Sequence, residues 1–190
     1  MRKVVLYMHT SLDGCVEGSS PWDISWISYN HELEKYAEEV LSNVDTVLWG
    51  RTTFLGMQQY WTSVPDNPGS SEHEINHSKW LENTTKIAFS KTLEKVDWKN
   101  SRLVKENIAE EIMKLKQQSG KDMIIIGSPV LAQSLMQLDL IDEYRLTVNP
   151  VILGSEKPLF KDIPHKMDLR LVDSRVFDSG VVGLTYQRNK

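Results

Sequence analysis

Short apolar runs that end on glycine or serine, each followed by a helical stripe, recur from residue 4 to residue 142, and beyond that the chain offers strands alone. Strands separated by helices do not pair as hairpins with their sequence neighbours. They pair in parallel and carry helices on both faces. A strand-only tail then adds antiparallel strands at one edge. The expected fold is α/β, a three-layer sandwich around a mixed, mainly parallel sheet, and its 190 residues read as one domain.

The elements follow from local patterning. Val4 to Met8 suits a buried strand, and Ser11-Leu12-Asp13-Gly14 breaks it with a turn composition. Leu33, Tyr36, Ala37, Val40 and Leu41 form one apolar stripe, predicting a helix over 30–41. Thr46 to Trp49 reads as a strand closed by Gly50, followed by a helix from Thr52 toward Tyr60. Residues 62–72 (TSVPDNPGSSE) read as an exposed loop, with a short helix over 73–81 and a strand at Ile87 to Phe89. Asn107 with Glu110 resembles a capping box for a helix whose stripe is Ile108, Ile112 and Leu115, stopped by Gly120. Met123 to Ile126 is the most strand-like run, and Ser128-Pro129 offers an N-cap and an N1 proline. Val130, Leu131, Leu135 and Leu138 are then expected to form a buried helix face. Strands are expected over 144–148, 151–153, 169–177 and 181–187, the last two joined by a hairpin at Asp178-Ser179-Gly180.

Composition narrows the function classes. With 22 Lys+Arg against 26 Asp+Glu the net charge is −4, which argues against a nucleic-acid partner. Cys15 is the single cysteine, so no intramolecular disulfide forms and a reducing compartment is expected. Asp13 ends the first apolar run too early for a signal peptide, and no apolar stretch reaches membrane-spanning length. The expectation is a cytoplasmic protein with no membrane partner.

Two strand-to-helix junctions carry the chemical signal. In Leu48-Trp49-Gly50-Arg51-Thr52-Thr53, glycine allows a tight turn, Arg51 supplies a guanidinium, and two hydroxyls sit at a helix N-terminus. Ile126-Gly127-Ser128-Pro129 repeats that logic, and Ser90-Lys91 adds a hydroxyl and a cation at a third strand end. Such positions suit phosphate groups, although glycine and serine occur at strand-to-helix turns without any ligand. Neither G-x-G-x-x-G nor G-x-x-x-x-G-K-[ST] is present. His73-Glu74-Ile75-Asn76-His77 satisfies H-E-x-x-H, the spacing of a zinc hydrolase, but the downstream G-x-x-H is missing and a charged surface helix packing Ile75, Trp80 and Leu81 accounts for it better, so no metal is expected.

Taken in order, S-L-D-G at 11–14, the segment Asp45 to Phe54, Phe89-Ser90-Lys91, Ile126-Gly127-Ser128-Pro129, Leu140 to Tyr144, Pro150 to Gly154, Pro158-Leu159-Phe160 and Ser179 to Val182 resemble the dihydrofolate-reductase-like family. The branch is the one typified by the C-terminal reductase domain of the bifunctional riboflavin-pathway deaminase/reductase. The resemblance implies an NADPH-dependent reductase, frequently a homodimer, that acts on a small pterin- or pyrimidine-like heterocycle. It implies cofactor contacts from Gly50, Arg51, Thr52 and Thr53, from Ser90 and Lys91 near the adenosine 2′-phosphate, and from Gly127, Ser128, Val130 and Leu131 around the pyrophosphate. Asp13 matches the loop bordering nicotinamide and substrate. Glu34 falls near the offset of the acidic residue of true dihydrofolate reductases, and both are candidate catalytic groups. Trp22 and Ile126 are candidate pocket walls. Three departures stand out: Ser128 replaces the second residue of the family's glycine pair, Ile126 replaces a frequent Glu, and Ser155-Glu156-Lys157 replaces a glycine-containing loop. The first two motivate a rival reading, a nucleotide- or pterin-binding protein without turnover.

Overall fold

The computed structural model describes residues 1–189. Eight strands, β1 (Val4–Thr10), β2 (Val44–Gly50), β3 (Thr85–Phe89), β4 (Ser101–Val104), β5 (Asp122–Ile126), β6 (Glu143–Val148), β7 (Leu169–Val176) and β8 (Val182–Arg188), form one sheet. Five helices accompany them: α1 (His31–Leu41), α2 (Arg51–Ser63), α3 (Glu72–Asn83), α4 (Ile108–Gln117) and α5 (Pro129–Gln137). The order across the sheet is β4-β3-β2-β5-β1-β6-β8-β7. β1 to β6 run parallel to one another, and β8 pairs antiparallel with both β6 and β7.

The pleat of β1 divides the core. Val4, Leu6 and Met8 pack with Ile112 and Leu115 of α4 and Leu131, Leu135 and Met136 of α5. Val5 and Tyr7 point the other way, onto Leu33, Tyr36 and Val40 of α1, Phe54 of α2 and Leu81 of α3. The sandwich therefore has the three expected layers.

Several local expectations need correcting. Only 67–71 of the expected loop 62–72 is a loop: α2 continues to Ser63 and a 3₁₀ turn covers Val64–Asp66, with Val64 buried. Asn107 has φ +53 and makes no capping hydrogen bond, so the capping box is absent there; Ser71 and Glu74 form one at α3 instead. Val130 (74% exposed) and Leu138 (47%) lie outside the buried face of α5, which is Leu131, Ala132, Leu135 and Met136. Residues 151–153 are not a strand: the Val151 amide turns back to the Asn149 carbonyl and the Leu153 amide serves a side chain described below. β4, four residues broken by the exposed Arg102, has too little apolar pattern to be anticipated.

Candidate functional site

The tips of β3, β2, β5, β1 and β6 lie side by side at the C-terminal edge of the parallel strands. Between the adjacent strands β2 and β5 the connections diverge: α2 leaves toward the α1 face and α5 toward the α4 face. Such a divergence opens a crevice outside the carboxyl ends, where open α/β sheets bind ligands.

Both helices meeting that crevice begin without a side-chain cap. Gly50 precedes α2 and Ser128 precedes α5, and neither supplies a capping hydrogen bond, whereas Asn30 caps α1 and Ser71 caps α3. The first-turn amides of α2 and α5 are thus free to meet an anion, favoured by the helix dipoles. The expected N-cap role of Ser128 is not observed. Its φ of +53 turns the hydroxyl away from its own helix, and Oγ accepts the Gly50 amide at 2.9 Å, tying the two tips together. Gly127, at φ +63, shares the left-handed turn, and a Cβ placed there would meet nothing closer than Met57 and Thr53 side-chain carbons at 3.9 Å. That backbone is open to close approach.

Arg51 and Thr52 are exposed on the first turn of α2, while Thr53 is buried beneath them. The Arg51 guanidinium donates to Thr92 Oγ1 at 3.1 Å, which joins the β2 tip to the loop after β3. Within that loop Ser90 Oγ accepts the amides of Thr92 and Leu93, and Lys91 stands exposed beside it. Sequence reasoning missed Thr92, which no motif marked.

Asp13 is a brace. Its carboxylate accepts Ser11 Oγ (2.5 Å) and the amides of Leu153 (3.1 Å) and Gly154 (2.7 Å). Those donors, Ser11 first, hold its carboxyl down at about 2. It is ionised across the neutral range and has no proton to give. Around it the 11–17 loop is laced to 151–159 by backbone bonds from Leu12 to Val151, Val16 to Lys157 and Leu159 to Gly14, with Cys15 buried between them. Asn149, fully buried, receives the Ser28 amide on Oδ1 and donates to the Thr10 and Thr147 carbonyls, fastening the far end of the same loop.

Trp22 has φ +64, and its indole leans over α2 so that a Cβ on Gly56 would lie 2.5 Å from Cζ2. This glycine weakens the helix intrinsically by about 1 kcal/mol, and the indole occupies the gap. Gly56→Ala is therefore expected to displace Trp22 outward, seen as a red shift in fluorescence with the helix retained. Ile126, at the end of β5, is the register partner of Tyr7 on β1, and its carbonyl accepts Trp49 Nε1 at 2.8 Å. Glu34 lies in the first turn of α1, half-buried, with His31 Nδ1 at 3.3 Å. Burial first, and then the charges of Glu34 and Glu38, push the Tyr29 phenol up to about 12.

A cluster of aromatic rings that no motif announced occupies the same face. Tyr7 meets His9 edge-to-face at 5.3 Å, His9 meets Tyr29 at 6.2 Å, and Tyr29 Oη lies 3.1 Å from His73 Nε2. His9 Nδ1 is 2.5 Å from Thr147 Oγ1. The H-E-x-x-H residues are on a helix, yet their chemistry is spent elsewhere. Glu74 closes the α3 capping box and accepts Tyr60 Oη, and the His77 ring packs against Trp61 and Trp80. Among the described residues no group of three or more His, Cys, Asp or Glu is arranged to hold a metal.

Comparison with known proteins agrees with this architecture. The family model described as RibD C-terminal domain matches residues 2–183. The uncharacterized protein YyaP of Bacillus subtilis (strain 168) is 34% identical over 189 residues, 99% of this chain and 96% of that protein. A candidate riboflavin biosynthesis protein from Shewanella sp. PV-4 superposes with a TM-score of 0.77 at 22% identity, covering 99% of both chains. Dihydrofolate reductase from Enterococcus faecalis, complexed with NADP(H), superposes with a TM-score of 0.62 at 18% identity, covering 99% of this chain and 97% of that one. The fold is that of dihydrofolate reductase, and the chain belongs to the RibD C-terminal domain family.

Proposed function

We propose that the protein is an NADPH-dependent reductase that transfers hydride to a C=N or C=O bond of a small pterin- or pyrimidine-like heterocycle. The observation that carries this reading is the pair of uncapped helix N-termini, α2 and α5, held together across the β2–β5 crevice by the Gly50–Ser128 bond. A dinucleotide pyrophosphate fits such a crevice, with backbone amides as its donors. The E. faecalis reductase, whose structure contains NADP(H), shares the fold.

In this reading the amides opening α2 and α5 bind the pyrophosphate, and the left-handed Gly127 lets the backbone approach it closely. Arg51, steadied by Thr92, and Lys91 supply positive charge beside Ser90 for the 2′-phosphate. The cofactor, when bound, supplies the hydride; the chain positions donor and acceptor. Asp13 keeps the first loop in place over the β1 tip, and Trp22 of that loop, leaning against α2, and Ile126 at the end of β5 wall the substrate. Glu34 is the candidate acidic group of α1. A homodimeric, cytoplasmic protein belongs to the same reading, and no helix among the described residues is long and apolar enough to cross a membrane.

Titration with NADPH and NADH, followed by nicotinamide fluorescence, tests the proposal. Tight NADPH binding and weaker NADH binding are expected. Lys91→Ala should weaken NADPH about tenfold and leave NADH unchanged, because only NADPH carries the 2′-phosphate. Failure of the wild-type protein to bind either nucleotide would overturn the reading. Binding without NADPH oxidation by any pterin or pyrimidine would favour the non-catalytic alternative, for which Ser128 and Ile126 are the sequence grounds.

A further inference from the structure

Among the described residues only two buried side-chain polar atoms lack a hydrogen-bond partner, Tyr7 Oη and Ser179 Oγ. A buried hydroxyl left unmade is costly, so each one calls for a functional or structural reason. Tyr7 is 4% exposed and sits on β1, between β5 and β6. Its register partner is Ile126, one residue before the Gly127-Ser128 corner that lines the crevice. Around it stand His9, fixed by Thr147, and the rings of Tyr36 at 6.1 Å and His9 at 5.3 Å, with the half-exposed Tyr29 against His9 on the outer side. Aromatic faces and one unused donor suit a flat ring bearing an acceptor.

We propose that Tyr7 anchors the substrate: its buried hydroxyl donates to a carbonyl or ring-nitrogen acceptor of a neutral, flat heterocycle lying against the His9 and Tyr29 rings. This rests on the reductase reading and assigns the specificity contact within it. Burial, reinforced by the Tyr29 and Tyr36 phenols, raises the Tyr7 phenol well above its ordinary range, so the group remains a donor at every physiological pH. The hydroxyl has no charged partner, which is why an uncharged acceptor edge fits it.

The experiment uses lumazine (pteridine-2,4-dione) as the probe, titrated into the wild-type protein and into Tyr7→Phe, with NADPH titrations and thermal melts of both. Tyr7→Phe should weaken lumazine about tenfold and leave NADPH affinity unchanged. It should also raise Tm by about 2 °C, since an unsatisfied buried hydroxyl has been removed. A hydroxyl with a structural partner would lower Tm on removal, and that result would overturn the proposal. Equal lumazine affinity in the two proteins, or no saturable binding to the wild type, would overturn it as well. If lumazine behaves as expected but the wild type binds no NADPH, the anchor stands and the reductase reading falls.

Discussion

Acidifying the protein from pH 7 to pH 4.5 is expected to lower its unfolding free energy by about 3 kcal/mol, chiefly through two imidazoles. Burial pushes the His9 ring down to about 4, and burial followed by the charge of His73 does the same to His77. The ordinary value in an unfolded chain is about 6.5. Between those limits the unfolded state binds protons that the folded state refuses, so stability is full above the unfolded value and is lost as the pH falls toward 4. A proton difference held over about two pH units is worth roughly 2.7 kcal/mol per group. Both rings keep some contact with solvent, which reduces that figure by about half. Of the charged groups nearby, Glu38 faces His73 at 3.4 Å, and the His73 ring stacks on His77 at 6.3 Å. Urea unfolding at the two pH values measures the loss, and His77→Phe, which keeps an aromatic ring between Trp61 and Trp80, should roughly halve it. A wild-type stability that is flat across this window would contradict the assignment.

How much of this was legible depends on whether the information was local. The strand-to-helix corners at Gly50 and Gly127 could be read because a short apolar run ending on glycine is a property of adjacent residues. The direction of the Ser128 hydroxyl could not. An N-cap reading follows from Ser-Pro alone, whereas the observed bond to the Gly50 amide requires β2 and β5 to be neighbours, a fact of topology. The same applies to Asp13. Its sequence context marks a turn, but the donors that saturate it come from Leu153 and Gly154, far along the chain. H-E-x-x-H erred in the opposite sense, with a conspicuous local pattern whose Glu74 is consumed by a helix cap and Tyr60. The Tyr7, His9, Tyr29 and His73 cluster draws on β1, the first loop and α3, and no window of sequence contains it.

At the opposite end of the sheet, Asp142→Ala is expected to destabilise the fold by about 3–5 kcal/mol without altering ligand affinity. Lys116 of α4 is buried, and its ammonium meets Asp142 Oδ2 at 2.6 Å and the Leu140 carbonyl at 2.8 Å. The same carboxylate accepts the Val4 amide at 2.9 Å, so it joins the start of β1 to α4 and to the segment leading into β6. Removing it strands a buried ammonium with one carbonyl partner and leaves a backbone N–H unmet. Lys116→Met should cost less, because Asp142 retains the Val4 amide and its side chain is 20% exposed. The double variant should recover part of the Asp142→Ala loss, since an apolar side chain then replaces the unpaired charge. Guanidinium unfolding of the three variants checks this ordering, and an Asp142→Ala cost below about 1 kcal/mol would refute it. Asp142 stands at the N-terminal ends of the strands while the crevice lies at their C-terminal ends, so folded Asp142→Ala should bind nucleotide like the wild type. The contrast with Tyr7→Phe is the physical point: removing Asp142 from its buried ion pair lowers stability and leaves ligand affinity alone, whereas removing the unpartnered Tyr7 hydroxyl raises Tm and weakens the ligand.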